Sequence, residues 1–495
     1  MRNLTLLLAA SMALAGCSSW LAPRFQLPNM FAKPVTLQAE TPLPFTSPTV
    51  VGSWQMVSVS ATLAPLDASG TTWVQHYPLP KLAELTAKAH IQNPTLQAQA
   101  ARVEQARALA GLAFAAQLPT LTASADATRY RSAPSVSSNT KARNTFGADV
   151  FASFELDLFG RVAGTARAAT LQALAAEDLQ ADVALALDAE IARTYTALLA
   201  ATVVERSWST ILAAQEQQLA ILTARYDAGE LDVSNWQAAA ATLQQQRSLA
   251  LGAASYTRQL HHALALLLGE APQVFDISEK DLASLSSAAP MPVGNMSATI
   301  ALQRPDVRAA ALALEAANQR IGVARAAFLP RISFNALGGF VNPVWGDVFD
   351  WDNRTWSMGP ALTLPLFQAG ANRANLRRNW AVYEESVAIY KGQVLGAFAD
   401  IANSLITLQI SQNQAASAQQ AVAAITRSFA ATSARFAVGD VGKFEQLGAD
   451  IALAQAHLNA AQAQAGWHTQ AFRFIQATGG KMPHAAPSLT PTPAP

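Results

Sequence analysis

The sequence predicts an α+β membrane protein in which a β-barrel, built from four strands per chain, continues into a long α-helical coiled coil. Three observations predict it. Four segments of about ten residues alternate apolar and polar side chains, as the strands of a membrane barrel do. Two Ala-rich stretches, 162–227 and 371–437, contain no proline and few glycines, which favours long helices. The pattern of strands and helices forms an internal repeat and occurs twice along the chain.

The composition excludes several classes of protein. Charged residues make up 14% of the 495 residues and hydrophobic residues 51%, which rules out a disordered polyelectrolyte and fits poorly with an ordinary soluble enzyme. The formal net charge of +1 gives no indication of a nucleic-acid partner. A single cysteine excludes a disulfide framework.

That cysteine, Cys17, closes an N-terminal targeting segment. Residues 1–16 carry one early arginine and then an apolar run, as a signal peptide does. The sequence Leu-Ala-Gly-Cys ending at Cys17 resembles the bacterial lipobox, which implies a lipid anchor and a lipidated extension over 17–79. A secretory signal with an incidental cysteine is the alternative. Ser18, after the cysteine, favours sorting to the outer membrane over the inner one. No uncharged apolar run of about 18 residues follows in the sequence, so no transmembrane helix is expected.

The internal repeat has an offset of 208–211 residues. Asn93-Pro94 matches Arg304-Pro305, and Arg225-Tyr226 matches Arg435-Phe436. We therefore predict helices over 80–118, a barrel hairpin over 119–159 and a helical hairpin over 160–269, then a linker over 270–297. The second copy has helices over 298–329, a barrel hairpin over 330–367 and a helical hairpin over 368–479, before a disordered Pro-rich tail over 480–495.

The predicted strands place their polar residues on one face. Four carboxylates fall on that face and are candidates for an acidic barrel lumen: Asp126, Asp149, Glu155 and Asp157. Glu155 and Asp157 have an alternative role in hydrogen bonding at the junction with the following helix. A soluble, half-buried sheet is the alternative for the strands themselves. Trp345, Trp351 and Trp356 lie in or beside a loop and suit an interfacial girdle, or are scattered surface aromatics.

The long helical stretches would each span roughly 100 Å at about 1.5 Å per residue. Each breaks at a glycine, Gly229 or Gly439, and resumes as a second helix. Such lengths without internal caps favour coiled-coil packing.

These residues resemble the TolC-like outer-membrane efflux proteins, and in particular their lipoprotein branch. Residues 153–161, SFELDLFGR, are similar to that branch's strand-to-helix signature, and the breaks at 225–229 and 435–439 are similar to its two hairpin tips. The resemblance covers about residues 70–480. The chain departs from the family pattern in a long Ser/Thr/Pro-rich segment, 18–70, and in Gly448, where many relatives carry an acid.

The resemblance implies a homotrimer with a 12-stranded barrel in outer-membrane lipid above a periplasmic helical tunnel. It implies two protein partners, a periplasmic adaptor and an inner-membrane transporter of the RND type. The adaptor would dock at the tips, at Arg225, Ala228, Gly229, Glu230, Arg435, Val438, Gly439 and Asp440. The alternative is that Gly229 and Gly439 only permit the turn and that Arg225 and Arg435 only stabilise the helix C-termini. A periplasmic gate falls at Phe444 or Glu445, either as an apolar plug or as a carboxylate ring; ordinary packing of Phe444 between helices and solvation of Glu445 are the alternatives.

The sequence contains no HExxH, Walker A or GxGxxG motif, so no enzyme activity, metal site or cofactor is expected. The function expected is a passive channel of a tripartite efflux system. The alternative is a structural coiled-coil lipoprotein of the periplasm, which would need no alternating strands.

Cys17→Ser should abolish acylation and impair maturation and sorting more than conduction, because a barrel would hold the protein in the membrane by itself. Mass spectrometry of the mature N-terminus measures the acylation. Normal acylation of the Cys17→Ser protein would rule out Cys17 as the lipid attachment site.

Overall fold

The computed structural model describes residues 72–77, 79, 81–133, 135, 140–273 and 299–480. Cys17, the signal peptide, nearly all of the extension, most of the linker and the Pro-rich tail lie outside these residues. The elements, numbered in chain order, are α1 Thr72–His76, α2 Leu82–Gln92, α3 Pro94–Ala115, β1 Thr120–Tyr130, β2 Arg143–Leu156, α4 Arg161–Asp227, α5 Val233–Leu267, α6 Thr299–Leu302, α7 Pro305–Ala326, β3 Arg331–Asn342, β4 Arg354–Thr363, α8 Ala371–Ala437 and α9 Lys443–Ala477.

Three pairs of corresponding helices in the two halves have the same length. The helices that precede the sheet, α3 and α7, have 22 residues each, and the helices that follow it, α4 and α8, have 67 each. The return helices α5 and α9 have 35 residues each. An unbroken 67-residue helix spans roughly 100 Å, so α4 and α8 run the length of the folded body.

The four strands form one antiparallel sheet in the order β1-β2-β3-β4. Their register collects apolar side chains on one face, among them Leu121, Val150, Phe154, Phe334, Met358 and Leu362. The other face carries mostly Ser, Thr, Asp and Asn. Leu121, Met358 and Leu362 are each at least 65% exposed, so the described residues leave most of the apolar face uncovered.

The sheet and the hairpin tips lie at opposite ends of the body. Both 67-residue helices begin within eight residues of a strand, at Arg161 and Ala371, and run away from the sheet. Near their far ends the Gln218 side chain donates a hydrogen bond of 3.1 Å to the backbone oxygen of Phe444. This contact between α4 and α9 places the two tips at the same end.

Midway between these ends lies the main hydrophobic core. It brings together α1, α2, α4, α5 and α9 through Trp73, Leu82, Tyr195, Leu264 and Phe472, all at most 1% exposed. The C-terminal end of the predicted N-terminal extension, which includes α1, is therefore part of the core.

The two halves use corresponding contacts to tie the return helix to the start of α3 or α7. The Asn93 side chain caps α3 and donates a 2.8 Å hydrogen bond to the Leu267 oxygen at the end of α5. At the matching position Arg304 donates a 3.3 Å hydrogen bond to the Ala477 oxygen at the end of α9. Asn93 and Arg304 thus stabilise corresponding junctions.

The two long helices differ in how much they bury. Helix α4 has buried residues from Val162 to Ala214, whereas α8 has few, and Trp380, Ile389, Leu395, Ile406 and Ile410 of α8 are each at least 40% exposed. By length and composition α8 is also the one described helix that would allow a membrane crossing, which the sequence did not lead us to expect.

A buried histidine links the last helix to the N-terminal segment. His468 is fully buried, and its Nδ1 is hydrogen-bonded to the Tyr77 hydroxyl at 2.7 Å. Its Nε2 has no hydrogen-bond partner among the described residues. Burial lowers the pKa of His468 from 6.5 to about 4 and raises that of Tyr77, so both groups are neutral near pH 7.

The neutral state of His468 makes stability depend on pH. Because its pKa is lower in the folded state, its contribution is complete above about pH 6.5 and is lost as pH falls toward 4. Wild-type protein in detergent should therefore show a falling apparent melting temperature over this range, and His468→Gln a smaller fall. His90, whose pKa is raised by its hydrogen bond to Asp188, contributes in the opposite sense and is present in both proteins. Identical pH profiles for the two proteins would contradict this assignment.

Candidate functional site

The first hairpin tip, residues 225–231, is a tight reversal closed by backbone hydrogen bonds. Gly229 has φ +76°, a conformation that favours glycine, and its N–H donates to the Tyr226 oxygen at 2.9 Å. The Glu230 N–H donates to the Arg225 oxygen at 2.8 Å. Arg225, Ala228, Gly229 and Glu230 are all exposed.

The helix after this tip begins with an aspartate cap. The Asp232 carboxylate accepts hydrogen bonds from the Ser234 N–H at 2.6 Å and the Asn235 side chain at 2.7 Å. Hydrogen bonds from the Ser234 side chain and backbone hold the pKa of Asp232 below its usual range. The cap therefore stays ionised at the helix N-terminus, where negative charge is favourable.

The second tip, residues 435–441, has the same backbone with different side chains. Gly439 has φ +78°, and the Asp440 N–H donates to the Arg435 oxygen at 2.9 Å. The Arg435 Nε also donates to the Asp440 carboxylate at 2.6 Å, so this arginine closes the tip as well as lying at a helix end. Val438 is 80% exposed and presents an apolar side chain at the turn.

Each tip is held by a corresponding side-chain hydrogen bond that sequence reasoning missed. The Trp236 indole N–H donates to the Thr223 hydroxyl at 3.0 Å, and its ring stacks on Tyr226. In the second tip the Gln446 amide donates to the Ser433 hydroxyl at 3.1 Å. Thr223 and Ser433 are 210 residues apart, and so are Trp236 and Gln446. The repeat offset is therefore the sequence signal that relates the two hydrogen bonds.

The two candidate gate residues lie in the first turn of α9 and have different environments. Phe444 is half-buried, and its backbone oxygen accepts the hydrogen bond from Gln218. Glu445 is exposed and turns back toward Gly442, because a Cβ on Gly442 would lie 2.7 Å from the Glu445 Oε2. Gly448 faces the same glutamine, since a Cβ there would lie 3.8 Å from the Gln218 nitrogen.

Two of the predicted lumen carboxylates lie flat on the polar face of the sheet. Asp126 is paired with Gly147, and Asp149 with Gly339, and a Cβ on either glycine would come within 2.7 Å of the aspartate. The Ser124 hydroxyl also donates to Asp149 at 2.7 Å. Gly147 thus leaves room for the Asp126 carboxylate, whereas Gly339 allows a close approach of its strand to the backbone of Ala148 and Asp149.

The other two predicted lumen carboxylates serve the strand-to-helix junction. Asp157 lies beyond the end of β2, and its carboxylate accepts a 2.7 Å hydrogen bond from the Ala163 N–H in the first turn of α4, so its placement on a strand face was wrong. Glu155 is in the strand but forms a two-pronged ion pair with Arg161, at 3.1 and 2.6 Å. That ion pair leaves Glu155 less able to act as a free lumen charge.

Among the described residues, no group of three or more His, Asp or Glu side chains is arranged to hold a metal ion.

Comparison with known protein families identifies the family of this chain. A family model described as outer membrane efflux protein matches residues 85–270 and 297–480. The chain belongs to the outer membrane efflux protein family. This confirms the resemblance that the strand-to-helix motif indicated, and makes the chain an outer-membrane efflux component. The two matched stretches correspond to the two halves of the fold.

Individual members of the family are similar to this chain over most of its length. The toluene efflux pump outer membrane protein TtgF of Pseudomonas putida is 31% identical over 420 residues, which cover 82% of each chain. The cation efflux system protein CusC of Escherichia coli is 28% identical over 446 residues, covering 90% of this chain and 92% of CusC. The structure of the outer-membrane channel OprN matches with a TM-score of 0.73 and 25% identity, covering 87% of this chain and 98% of OprN.

Proposed function

We propose that three copies of this chain form an outer-membrane channel that conducts small molecules passively out of the periplasm, as the outer component of a tripartite efflux system. One observation carries the proposal: a four-stranded sheet with an exposed apolar face and a polar face leads directly into two 67-residue helices. A sheet of this kind suits lipid on one side and water on the other, and the helices extend the water-filled path.

The number of copies follows from the edges of the sheet. β1 and β4 are the outer strands, and an open edge is not stable in the hydrocarbon region of a bilayer. Two chains would close a barrel of about eight strands, which side chains fill, whereas three chains give twelve and leave a lumen. The exposed apolar side chains of α8 support the same assembly, because neighbouring copies would cover them.

The polar face would line the barrel. Asp126 and Asp149 lie on this face, and neither forms an ion pair with a described arginine. Threefold symmetry would repeat each of them around the lumen. Such a lumen favours cations over anions. Asp157 is not part of this lining, and Glu155 contributes less because Arg161 neutralises it.

The tips would dock the partners. A periplasmic adaptor bound there would connect the channel to an inner-membrane transporter of the RND type. That transporter would supply the energy for export, because this chain is a channel and not an enzyme. The names of TtgF and CusC refer to toluene and to cations, so relatives of this chain are named for different cargoes.

Phe444 is the residue that we assign to the periplasmic gate. Its half-buried ring lies at the start of α9, and Gln218 holds its backbone. Three such rings would close the tunnel by excluding water. Glu445 turns toward Gly442 at the helix N-terminus, where a carboxylate is stabilised, so it acts on entering cations rather than as the plug.

Phe444→Ala should raise the resting conductance of the trimer in planar bilayers several-fold, because it removes the apolar plug. Phe429→Ala is the matched control, since Phe429 is also half-buried but lies on α8. Glu445→Gln should instead weaken block by multivalent cations from the periplasmic side. Wild-type conductance in Phe444→Ala would place the gate elsewhere, and no conductance from any assembled trimer would favour a structural tether.

Bulky substitutions at the exposed tip residues, Ala228→Trp and Val438→Trp, should reduce crosslinking to the adaptor and lower resistance in cells, because they obstruct the docking surface. Ala238→Trp is a control on the exposed surface of α5, away from the turn. Unchanged crosslinking and resistance in both tip variants would refute docking at the tips.

A further inference from the structure

The loop between β3 and β4, residues 343–353, carries three large aromatic side chains, and two of them, Trp345 and Trp351, are candidates for an interfacial girdle. Trp345, Phe349 and Trp351 are 62%, 66% and 70% exposed. The loop lies at the end of the sheet away from the helices. By contrast the β1–β2 connection, 131–142, contains no aromatic residue. We call residues 343–353 the aromatic loop.

The aromatic loop packs on the apolar side of the sheet. The ring of Trp345 lies 5.5 Å from that of Phe146, and the rings of Phe349 and Trp351 lie 5.9 and 6.5 Å from that of Phe340. Phe146 and Phe340 belong to the apolar face, since the register pairs Phe340 with Ala148, two residues along β2 from Phe146. The loop therefore turns toward the proposed lipid side and not across the lumen.

Side-chain contacts hold the loop in this position. The Asn353 amide donates to the Asp347 oxygen at 2.7 Å, and the Arg354 guanidinium donates to the Trp351 oxygen at 2.8 Å. The same guanidinium lies 5.0 Å from the centre of the Trp351 ring, and Val348, within the loop, is fully buried. The loop is thus a built structure.

Its surface is amphipathic. Asp347, Asp350 and Asp352 alternate with the aromatic residues and are exposed. The aromatic patch continues into Trp356 and Met358 of the apolar face, 71% and 65% exposed. Aromatic rings bordered by charged groups at the end of an apolar face are typical of the membrane–water interface, where one side of the ring is apolar and the other wet.

We propose that the aromatic loop docks on the lipid headgroup region of the outer leaflet and sets the depth of the barrel in the membrane. The proposal rests on the proposed orientation of the sheet, with its apolar face toward lipid. It makes the β3–β4 loop a membrane anchor and leaves the mouth of the channel uncovered on that side.

Site-directed spin labelling of the trimer in phospholipid vesicles tests this. Cys17 is the only cysteine, and its thiol is blocked in the acylated protein, so wild type treated with the label is the background control. Labels are placed through Trp345→Cys and Phe349→Cys in the aromatic loop. Val150→Cys on the apolar face and Thr128→Cys on the polar face are the references. The accessibility of each label to oxygen and to a water-soluble nickel complex is measured.

The loop labels should have an oxygen-to-nickel accessibility ratio several-fold above that of Thr128 and below that of Val150, as expected at headgroup depth. A ratio equal to that of Thr128 would place the loop in water and overturn the proposal. Labels shielded from both reagents would mean that a neighbouring protomer covers the loop, which also overturns it. If instead the Val150 label is inaccessible to oxygen, the proposed orientation of the sheet fails.

Discussion

The unpaired edges of the four-stranded sheet are the constraint on which the other features depend. Along β1 and β4 one row of backbone N–H and C=O groups has no partner strand among the described residues. In hydrocarbon each such group costs several kcal/mol, so the apolar face can meet lipid only if other copies complete the sheet. Because α4 and α8 begin within eight residues of β2 and β4, closure of the proposed barrel would also fix where the helical tunnel starts.

The repeat is realised as corresponding contacts made by different residue types. Asn93 and Arg304 both bind the last turn of a return helix, and Trp236 and Gln446 both bridge a hairpin near its tip. What the two halves do not share is the core around Trp73, which packs against the first hairpin and α9. As a result α4 is well buried within one chain, whereas α8 exposes apolar side chains that neighbouring copies would cover.

Local periodicity was sufficient to predict the strands, the long helices and the two sheet faces, because these depend on neighbouring residues. Asp157 was misplaced because the alternation of apolar and polar residues continues past the end of the strand. The hydrogen bond that its carboxylate accepts comes from the Ala163 N–H, six residues further along the chain. The Tyr77–His468 hydrogen bond joins residues 391 apart, so no local pattern signals it. The Trp236–Thr223 bond depends on the register of two helices across a turn, which the tip motif alone does not specify.

The length of α4 gives the channel mechanical leverage. From Tyr195 in the buried core to Asp227 at the tip the helix is continuous over 32 residues, or roughly 48 Å. If the core acts as a fulcrum, a tilt of about 5° displaces the tip by roughly 4 Å, comparable to the width of an aromatic ring. In the proposed trimer, packing adjustments too small to disturb the core would therefore open or close the end of the tunnel, and an adaptor bound at the tips would act at the long end of this arm.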